Sequence, residues 1–478
     1  MYKLSQELIE KLNMEGIKYC HWKSNLLLND ALDGYDDLDL LVSRDDIYKF
    51  EKAIGELGFK EASNSHISFN GIKHFYGYDN ETGELLHLHI YYQIKTGASW
   101  TKSIHFDFEE YILDNLTLHE SGMPIPKKHI ELVIFIFRVM LKYSKINEFI
   151  LVNREYERTL NEIIYLQNGA NRDKIRDFLH DYFPNISEVE FYNYIHTIQE
   201  GSNLKKYLAG KKVKRKLKRY RYLGFWEENY INISQFIYRS INRLFFKNKK
   251  RLNSTGTIIV IAGLDATGKT TITNDLKKWL GKHFNISLVH FGKPKSTFIT
   301  YPFNLLIKIL RREVSNGSEL KSSIGKKGNK SFAYIVRQIV LAYDRYKLIK
   351  RCWRASSIGN IVILDRYKSE NYGVMDSHRL NPIDYSGLKL KLVEIENSLY
   401  AKMPKPYILF YLTVPIEVAI QRNRDRIKEG KESEAFIRIR HKQNKDLTYN
   451  AHHQYTIDTN QSYENELKEI KSKIWKLL

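Results

Sequence analysis

The segment GLDATGKTT, at positions 263–271, constrains the fold of this chain more than any other part of the sequence. It matches the pattern G-x-x-x-x-G-K-[ST], in which glycines let the backbone wrap a polyphosphate and backbone N–H groups face the anion. The apolar segment TIIVIA comes directly before it, and a helical pattern begins near Thr271. Because the motif needs a strand before it and a helix after it, the segment predicts a phosphate-binding loop.

The residues of this loop have separate expected roles. Lys269 would reach the β- and γ-phosphates of ATP, and the Thr270 hydroxyl would ligate Mg²⁺. The other residues of the predicted ATP-binding set are Gly263, Ala266, Thr267, Gly268 and Thr271. ATP and Mg²⁺ are therefore the predicted cofactors.

A chain of 478 residues is too long for one hydrophobic core, and its apolar fraction of 43% is typical of folded proteins. Its two cysteines, Cys20 and Cys352, predict no disulfide framework and favour a reducing compartment. The first residues lack the apolar core of a secretory signal, and the longest apolar run, 132–141, is far shorter than the ~20 residues that span a bilayer. We therefore expect a cytoplasmic protein without membrane-spanning segments.

The pattern along the chain predicts a multi-domain α/β protein with three regions. Residues 1–118 alternate short helical and strand patterns, as in an α+β domain, and residues 119–250 read as a helical, basic connecting region. Residues 251–478 alternate strands and helices in the manner of a parallel sheet.

The net charge of +21 is concentrated in the connecting region, where residues 201–250 hold 15 Lys and Arg against 2 Glu. A cationic helical stretch at 211–221 is followed by an aromatic-rich stretch at 225–246. Three interpretations remain open for residues 205–246: a solvated helix packed on its own domain, peripheral contact with the inner membrane face, or nucleic-acid contact, which is the least favoured.

Three further segments accompany the loop in the C-terminal region. The apolar segment 361–364 ends in Asp365 and Arg366, which would serve as a Mg²⁺-shell carboxylate and a phosphate-binding guanidinium. The segment LAYDR lies upstream at 341–345, and the apolar segment PYILFYL lies downstream at 406–412. An arginine cluster, RNRDR, follows at 422–426. The predicted catalytic residues are Lys269, Asp365, Arg366, Arg422, Arg424 and Arg426.

In the order and spacing of these segments, residues 256–478 resemble the thymidylate kinase family of nucleoside monophosphate kinases. The resemblance implies a five-stranded parallel sheet with helices on both faces, ATP·Mg²⁺ as donor, and a homodimer. It also implies that the arginine cluster belongs to a lid. Since Ala266 stands where some members place an arginine, the cluster would supply the positive charge for transfer.

The acceptor side departs from the family pattern. Asp265 keeps the loop carboxylate that faces the acceptor sugar, and Arg345 matches the arginine that meets the base. Lysines replace the arginine expected for the acceptor phosphate, and Leu341 stands where an aromatic would stack on the base. The predicted acceptor-binding residues are Asp265, Lys293, Lys295, Arg345 and Tyr367. Kinase chemistry is expected, on a nucleoside monophosphate or, alternatively, on a sugar or polysaccharide precursor.

The N-terminal region carries a second carboxylate pattern. Alternation through DLD places Asp37 and Asp39 on one face of a strand, where they could hold Mg²⁺ against a triphosphate. A hairpin pattern follows, with strands at 74–78 and 85–94. The segments WKSN, DDLDLLV and LLHLHIYYQI resemble the polymerase-β-like nucleotidyltransferase superfamily over about the first 100 residues. His87 stands where that family places its third acidic residue.

Two further hypotheses follow for the whole chain. Nucleotidyl transfer by the N-terminal domain would make the C-terminal domain a partner or regulator. Alternatively, the chain would bind a membrane or nucleic acid under nucleotide control without catalysis. Retention of Lys269, Thr270, Asp365 and Arg366 argues against the second of these hypotheses.

Overall fold

The computed structural model describes residues 1–292, 294–303, 330–374, 376–425, 433–443 and 447–478. The chain divides into two compact units, Met1–Asn248 and Lys249–Leu478. The finer division of the first unit near residue 118 stays a prediction.

The N-terminal unit begins with a mixed sheet. Its strands are β1 (Tyr19–His21), β2 (Leu38–Val42), β3 (Lys60–Ser63), β4 (Ile72–Tyr78), β5 (Leu85–Tyr91), β6 (Ile94–Thr96), β7 (Ile104–Phe106), β8 (Leu116–Leu118) and β9 (Pro124–Pro126). The order β1-β2-β5-β4-β3 combines one parallel pair, β2 with β5, and antiparallel neighbours. The predicted hairpin is confirmed as β4 and β5, although β5 ends at Tyr91 and Ile94 begins β6.

Helices make up most of the rest of this unit, as the sequence predicts for the connecting region. They are α1 (Lys3–Met14), α2 (Leu28–Leu32), α3 (Ile47–Glu56), α4 (Glu109–Asp114), α5 (Lys128–Tyr143), α6 (Ile146–Arg154), α7 (Tyr156–Gln167), α8 (Arg172–Tyr182), α9 (Glu188–Glu200), α10 (Asn203–Lys216) and α11 (Phe225–Ile241). None of the helices within the described residues is long and apolar enough to cross a membrane.

α5 is the central helix of the N-terminal unit. Nearly all of its residues are buried, which fits its apolar sequence IELVIFIF. α10 crosses it so closely that a Cβ on Gly210 would lie 2.6 Å from the Met140 carbonyl oxygen. Residues of the sheet such as Cys20 and Leu41 belong to the same core cluster as residues of α5 and α9. The helical region therefore shares one hydrophobic core with the sheet.

A five-stranded parallel sheet forms the centre of the C-terminal unit. The strands of this unit are β10 (Arg251–Leu252), β11 (Thr257–Gly263), β12 (Ile286–His290), β13 (Ile361–Asp365), β14 (Ile408–Thr413) and β15 (His453–Asp458). The sheet order is β12-β13-β11-β14-β15, and every neighbouring pair is parallel. This confirms the predicted sheet. β11 and β14 are buried apolar runs, as expected for central parallel strands.

The described helices of this unit are α12 (Lys269–Gly281), α13 (Phe332–Ser357), α14 (Gly387–Ala401), α15 (Ile416–Asp425), α16 (Glu434–Gln443) and α17 (Tyr463–Leu477). Because all five strands of the sheet run in one direction, their carboxyl ends meet at one edge. In open parallel sheets that edge is where ligands bind. It is also where the loop that follows β11 lies.

Candidate active site

The glycines of the predicted phosphate-binding loop have backbone conformations that favour glycine. β11 ends at Gly263, which has a φ of 147°, and a Cβ there would lie 2.5 Å from the Leu412 carbonyl oxygen. Gly268, directly before α12, has a φ of 83°. Side chains are strained at both values. The loop therefore turns sharply between strand and helix, with its first residue pressed against the backbone of β14.

Lys269 is the first residue of α12 and folds back over the loop. Its buried Nζ contacts the Leu264 carbonyl oxygen and lies 3.5 Å from Thr267 Oγ1. Burial lowers the pKa of Lys269 to about 8. Thr270 and Thr271 follow in the first turn of the helix, and both are exposed. A lysine, a helix N-terminus and two threonines thus occur together, which is an arrangement suited to a polyphosphate.

Asp365 ends β13, which pairs in parallel with β11. Its Oδ2 lies 3.0 Å from Nδ1 of His290, the last residue of β12. Its Oδ1 is buried and has no hydrogen-bond partner within the described residues. Such an oxygen fits a divalent cation or its water shell, and the Thr270 hydroxyl is a ligand of the same kind.

No group of three or more His, Cys, Asp or Glu side chains within the described residues could hold a metal ion. A Mg²⁺ ion at Asp365 and Thr270 would therefore take its other ligands from phosphate oxygens and water, as Mg²⁺ commonly does in phosphate sites.

Asp376 lies outside the predicted site residues, yet it joins two of them. Its carboxylate oxygens lie 3.0 Å from an Arg345 nitrogen and 3.3 Å from an Arg366 nitrogen. Arg345 also donates to the Tyr400 hydroxyl at 2.7 Å. Two guanidinium groups are thus oriented by one buried carboxylate. The only signal in the sequence is a single Asp in the divergent stretch that follows Tyr367, which sequence reasoning could not distinguish from an ordinary loop residue.

A second residue that sequence reasoning missed is Arg440, on α16. One of its guanidinium nitrogens lies 2.8 Å from Asp265 Oδ2, while an Arg366 nitrogen lies 3.6 Å from Asp265 Oδ1. The loop carboxylate therefore has an arginine near each oxygen. The signal available in the sequence is the basic pattern RIRHK at 438–442, which continues the charged stretch that begins with the arginine cluster.

The family model for thymidylate kinase matches residues 261–470, which contain the loop, Asp365, Arg366 and Arg440. The C-terminal region carries a thymidylate kinase domain. The prediction of a kinase is thereby confirmed.

Two thymidylate kinases are similar to this chain in sequence. That of Sulfurihydrogenibium sp. (strain YO3AOP1) is 26% identical over 194 residues, which cover 38% of this chain and 83% of the relative. That of Prochlorococcus marinus (strain NATL1A) is 29% identical over 234 residues, which cover 47% of this chain and 98% of the relative. With the family match, these relatives support an ATP-dependent nucleoside monophosphate kinase, thymidylate-like.

Two solved thymidylate kinase structures also match the chain. The enzyme from Ehrlichia chaffeensis matches with a TM-score of 0.23 and 18% identity, and covers 47% of this chain and 98% of its own. The enzyme from Candida albicans matches with a TM-score of 0.27 and 20% identity, and covers 47% of this chain and 91% of its own.

The two described arginines of the cluster, Arg422 and Arg424, contact residues outside the phosphate-binding loop. The Arg422 guanidinium donates to Thr459, at 3.1 Å to its hydroxyl and 2.6 Å to its carbonyl oxygen. Arg424 forms an exposed ion pair with Glu434 at 2.7 Å. Arg426 lies outside the described residues. Arg440, on the following helix, contacts the loop carboxylate of Asp265 at 2.8 Å, as Arg366 does at 3.6 Å.

The predicted acceptor residues have different surroundings. Lys293 lies outside the described residues, and Lys295 is exposed. Tyr367 is buried, and its hydroxyl donates to the Pro404 carbonyl oxygen at 2.6 Å. Phe291, which sequence reasoning did not select, is buried with its ring centroid 4.9 Å from the Arg345 guanidinium carbon. An aromatic ring therefore lies beside the arginine expected at the base.

The carboxylates predicted in the N-terminal unit both contact basic side chains. Asp37 contacts Nδ1 of His87, and Asp39 has Nζ of Lys23 at 2.8 Å and Nδ1 of His89 at 2.9 Å. Although burial opposes ionisation, Lys23 and His89 hold the pKa of Asp39 well below its usual range. His87, at the position of the third acidic residue, is therefore a neighbour of Asp37.

Proposed function

We propose that the thymidylate kinase domain transfers the γ-phosphate of ATP to a nucleoside monophosphate, with thymidylate as the default acceptor. The observation that carries this proposal is the meeting of three groups at the carboxyl edge of the sheet. The Lys269 loop follows β11, Asp365 ends the neighbouring strand β13, and Arg366 follows it. Phosphoryl transfer is mostly positioning and charge neutralisation, which these groups can supply.

On the donor side, Lys269 would leave the Leu264 carbonyl oxygen and bind the β- and γ-phosphates, while the loop N–H groups hold the chain of phosphates. Asp365 and Thr270 would hold Mg²⁺, which neutralises phosphate charge and orients the phosphoryl group when bound. The buried Oδ1 of Asp365, which has no hydrogen-bond partner among the residues described, and the exposed Thr270 support this assignment.

Charge that develops during transfer would be stabilised by arginine. Arg366 and Arg440 both lie near Asp265, at 3.6 Å and 2.8 Å. Guanidinium groups held in place before the reaction stabilise transferring phosphoryl oxygens without a reorganisation cost. We therefore assign to Arg440 the charge-stabilising role predicted for the arginine cluster, and assign Arg422 a structural role through its contact with Thr459.

On the acceptor side, Arg345 and Phe291 would meet the base, and Asp265 would orient the sugar hydroxyl. The contact of Arg345 with Asp376 and Phe291 supports a fixed guanidinium at this position. A flat ring and a planar guanidinium suit a heterocyclic base better than a sugar, which favours the nucleoside monophosphate over the alternative acceptor.

The deciding experiment incubates the full chain with γ-labelled ATP and a panel of nucleoside monophosphates, sugars and sugar phosphates. We expect label in a nucleoside diphosphate, first of all from thymidylate. Label in a sugar product, with none in any nucleotide, would favour the sugar or polysaccharide-precursor acceptor. If no acceptor gains label, the proposed transfer is wrong.

Nucleotidyl transfer is the second candidate function, for the N-terminal unit. It is favoured by Asp37 and Asp39, which both line one cavity of about 340 Å³. Incubation with α-labelled nucleoside triphosphates tests it, with Asp37→Ala as the inactive variant. Lack of transfer by the unmodified chain from any triphosphate would rule it out.

Peripheral membrane contact is proposed for the segment 205–246. Its support is an apolar stripe on α11, where Trp226 is 82% exposed and Tyr230 is 74% exposed, next to the cationic helix α10. Such a combination of exposed aromatics and basic residues suits an anionic lipid surface. Co-sedimentation with anionic vesicles at low salt tests this membrane contact, and failure to sediment would rule it out.

The predicted homodimer stays a prediction, which a measurement of the molar mass in solution can decide.

A further inference from the structure

A single carboxylate joins the arginine expected at the acceptor base to the arginine expected at the phosphates. Arg345 lies on α13, and Arg366 directly follows β13. Asp376 Oδ1 lies 3.0 Å from an Arg345 nitrogen, and Asp376 Oδ2 lies 3.3 Å from an Arg366 nitrogen. Because each arginine uses a different carboxylate oxygen, Asp376 holds both at once. A contact made at one arginine can therefore affect the position of the other.

Arg345 is the firmly held end of this arrangement. It is buried, and besides Asp376 its guanidinium donates to the Tyr400 hydroxyl at 2.7 Å and to the Gly292 carbonyl oxygen at 3.2 Å. Its Nε is also buried, and it forms no hydrogen bond with any residue that the structure describes. A buried donor without a partner costs free energy, and the carbonyl oxygen of a base would satisfy it. The acceptor base would thus complete the surroundings of Arg345.

Arg366 is the more loosely held end. Its nitrogens lie 3.3 Å from Asp376 and 3.6 Å from Asp265, whereas Arg440 lies 2.8 Å from Asp265. The side chain of Arg366 is 25% exposed, against 5% for Arg345. A guanidinium at these longer distances can turn to a phosphate oxygen without first breaking a short ion pair. Asp376 therefore sets where Arg366 rests before the acceptor phosphate arrives.

The backbone at both ends of the Asp376–Arg366 pair is in an unusual conformation. The φ angle is 64° at Asp376 and 75° at Arg366. Left-handed conformations cost free energy in residues other than glycine, and they persist where the surroundings hold them, often at active sites. Gly292 leaves room for the carboxylate, since a Cβ there would lie 3.1 Å from Asp376 Oδ1. The chain therefore accepts strain and close packing to bring this carboxylate to Arg366.

One helix, α14, fixes both Arg345 and the segment that carries Asp376. The Tyr400 hydroxyl accepts the hydrogen bond from Arg345. Glu396, one helical turn earlier, is buried and accepts two backbone N–H groups that follow shortly after Asp376, each at 3.1 Å. The base-facing arginine and the carboxylate are thus held against the same support, which keeps the distance between them constant.

We propose that Asp376 is a positioning residue that makes phosphoryl transfer depend on the base of the acceptor. A base bound at Arg345 holds Asp376, and Asp376 holds Arg366 at the transferring phosphoryl group. An oxygen of the acceptor phosphate forms the new bond to the γ-phosphorus of ATP, the bond to ADP breaks, and Asp376 exchanges no proton. This inference rests on the proposed function and adds the residue through which the base acts. The substrate class is a phosphate monoester that carries a heterocyclic base.

The test compares two acceptors with the full chain and γ-labelled ATP. One is the best nucleoside monophosphate, which we expect to be thymidylate, and the other is 2-deoxyribose 5-phosphate, which lacks the base. In the parent, kcat should be about 100-fold lower without the base, because binding energy from remote parts of a substrate is used at the reacting centre. Asp376→Asn should lower kcat for thymidylate about tenfold, with a smaller change in KM, and leave kcat for the base-less acceptor nearly unchanged.

Tyr400→Phe is a second variant, which keeps the ion pairs and the packing but removes the hydroxyl that Arg345 contacts. It should lower kcat for thymidylate about threefold, again without changing kcat for the base-less acceptor. If Asp376→Asn does not fold, this variant decides the question. The matched control is Asp384→Asn, at an exposed aspartate eight positions after Asp376, which should behave like the parent with both acceptors.

A structural role for Asp376 would lower kcat equally for both acceptors, and that result would overturn the proposal. A lower KM with undiminished kcat for both acceptors would also overturn it, because Asp376 would then compete with the acceptor phosphate for Arg366. So would a parent that transfers equally well to the two acceptors, or an Asp376 variant that matches the parent with both. A parent that labels no nucleotide would instead contradict the proposed function itself, so the two failures are distinguishable.

Discussion

Each unit of this protein has an aspartate on a parallel strand of its sheet, but the two side chains have different surroundings. Asp365, at the end of β13, has one oxygen near His290 and one buried oxygen without a partner in the described chain. Asp39, on β2, has Lys23 and His89 within 2.9 Å. Asp39 lies near the amino end of β2 and Asp365 at the carboxyl end of β13, and the two carboxylates therefore differ both in position and in the basic groups around them.

The difference indicates that a buried carboxylate is available to a cation only where lysine or histidine side chains of its own chain do not already pair with it. Lys23 and His89 reach Asp39 from 16 positions before it and 50 positions after it. The kinase domain places its cations at Asp265 and Asp376 instead, and so keeps Asp365 available.

The strongest test of this contrast removes the lysine of the kinase loop. Lys269→Ala should reduce phosphoryl transfer by about 1000-fold or more, because the β- and γ-phosphates lose their cation. Transfer from γ-labelled ATP measures the loss. Lys278→Ala, on the exposed face of the same helix, is the control and should retain activity. Undiminished turnover in the Lys269 variant would contradict the assigned site.

The two aspartates can be compared directly by Asp365→Asn and Asp39→Asn. We expect Asp365→Asn to lower kcat about 100-fold with little change in stability, because it weakens the Mg²⁺ shell. Asp39→Asn should leave the kinase active but destabilise its unit by about 3 kcal/mol, because Lys23 loses its buried partner. Kinetics and thermal unfolding of both variants measure these effects. If Asp39→Asn lowered kcat and Asp365→Asn instead destabilised its unit, the interpretation of the two aspartates would be wrong.

A smaller effect should separate two arginines of α16. Arg440→Gln should lower kcat about tenfold, since Arg440 contacts the loop carboxylate. Arg438→Gln is the matched control two residues away, because Arg438 pairs with exposed Glu417 and Glu434. Equal losses in both variants would mean that α16 acts through its fold, and that Arg440 has no separate role.

A graded effect is expected in the pH dependence of ATP affinity, which is small near neutral pH. Lys269 must be protonated to bind phosphate, and burial lowers its pKa to about 8. Affinity should therefore be constant below pH 8 and weaken by up to about tenfold per pH unit above it. Titration calorimetry between pH 6.5 and 9.5 measures this. Lys269→Arg should remove the dependence, because arginine stays protonated throughout. A dependence that persists in this variant would point to another group.

The fold of the kinase domain could be predicted from sequence because its signals are local. A buried strand, two glycines and a following helix occupy adjacent positions at 257–281, and the strands β13 and β14 are apolar runs with clear ends. The same local signals identified Lys269, Thr270 and Asp365 as a group.

The residues that could not be predicted depend on contacts between distant segments. Asp376 orients Arg345, 31 positions away, and Arg440 reaches Asp265 across 175 positions. No periodicity or motif records such pairs. In the N-terminal unit the DLD pattern indicated a metal site, but the cations around Asp39 come from other strands and loops, and the pattern itself contains no information about them.

Arg422 stabilises the kinase domain through contacts that lie outside the phosphate-binding loop. By binding Thr459, whose N–H and hydroxyl donate to the Thr413 carbonyl oxygen, it fastens α15 to the tips of β14 and β15. The same tip of β14 supports Gly263 through Leu412. Loss of the Arg422 contact would therefore leave the carboxyl end of β14, and with it the close approach of Leu412 to Gly263, less firmly held.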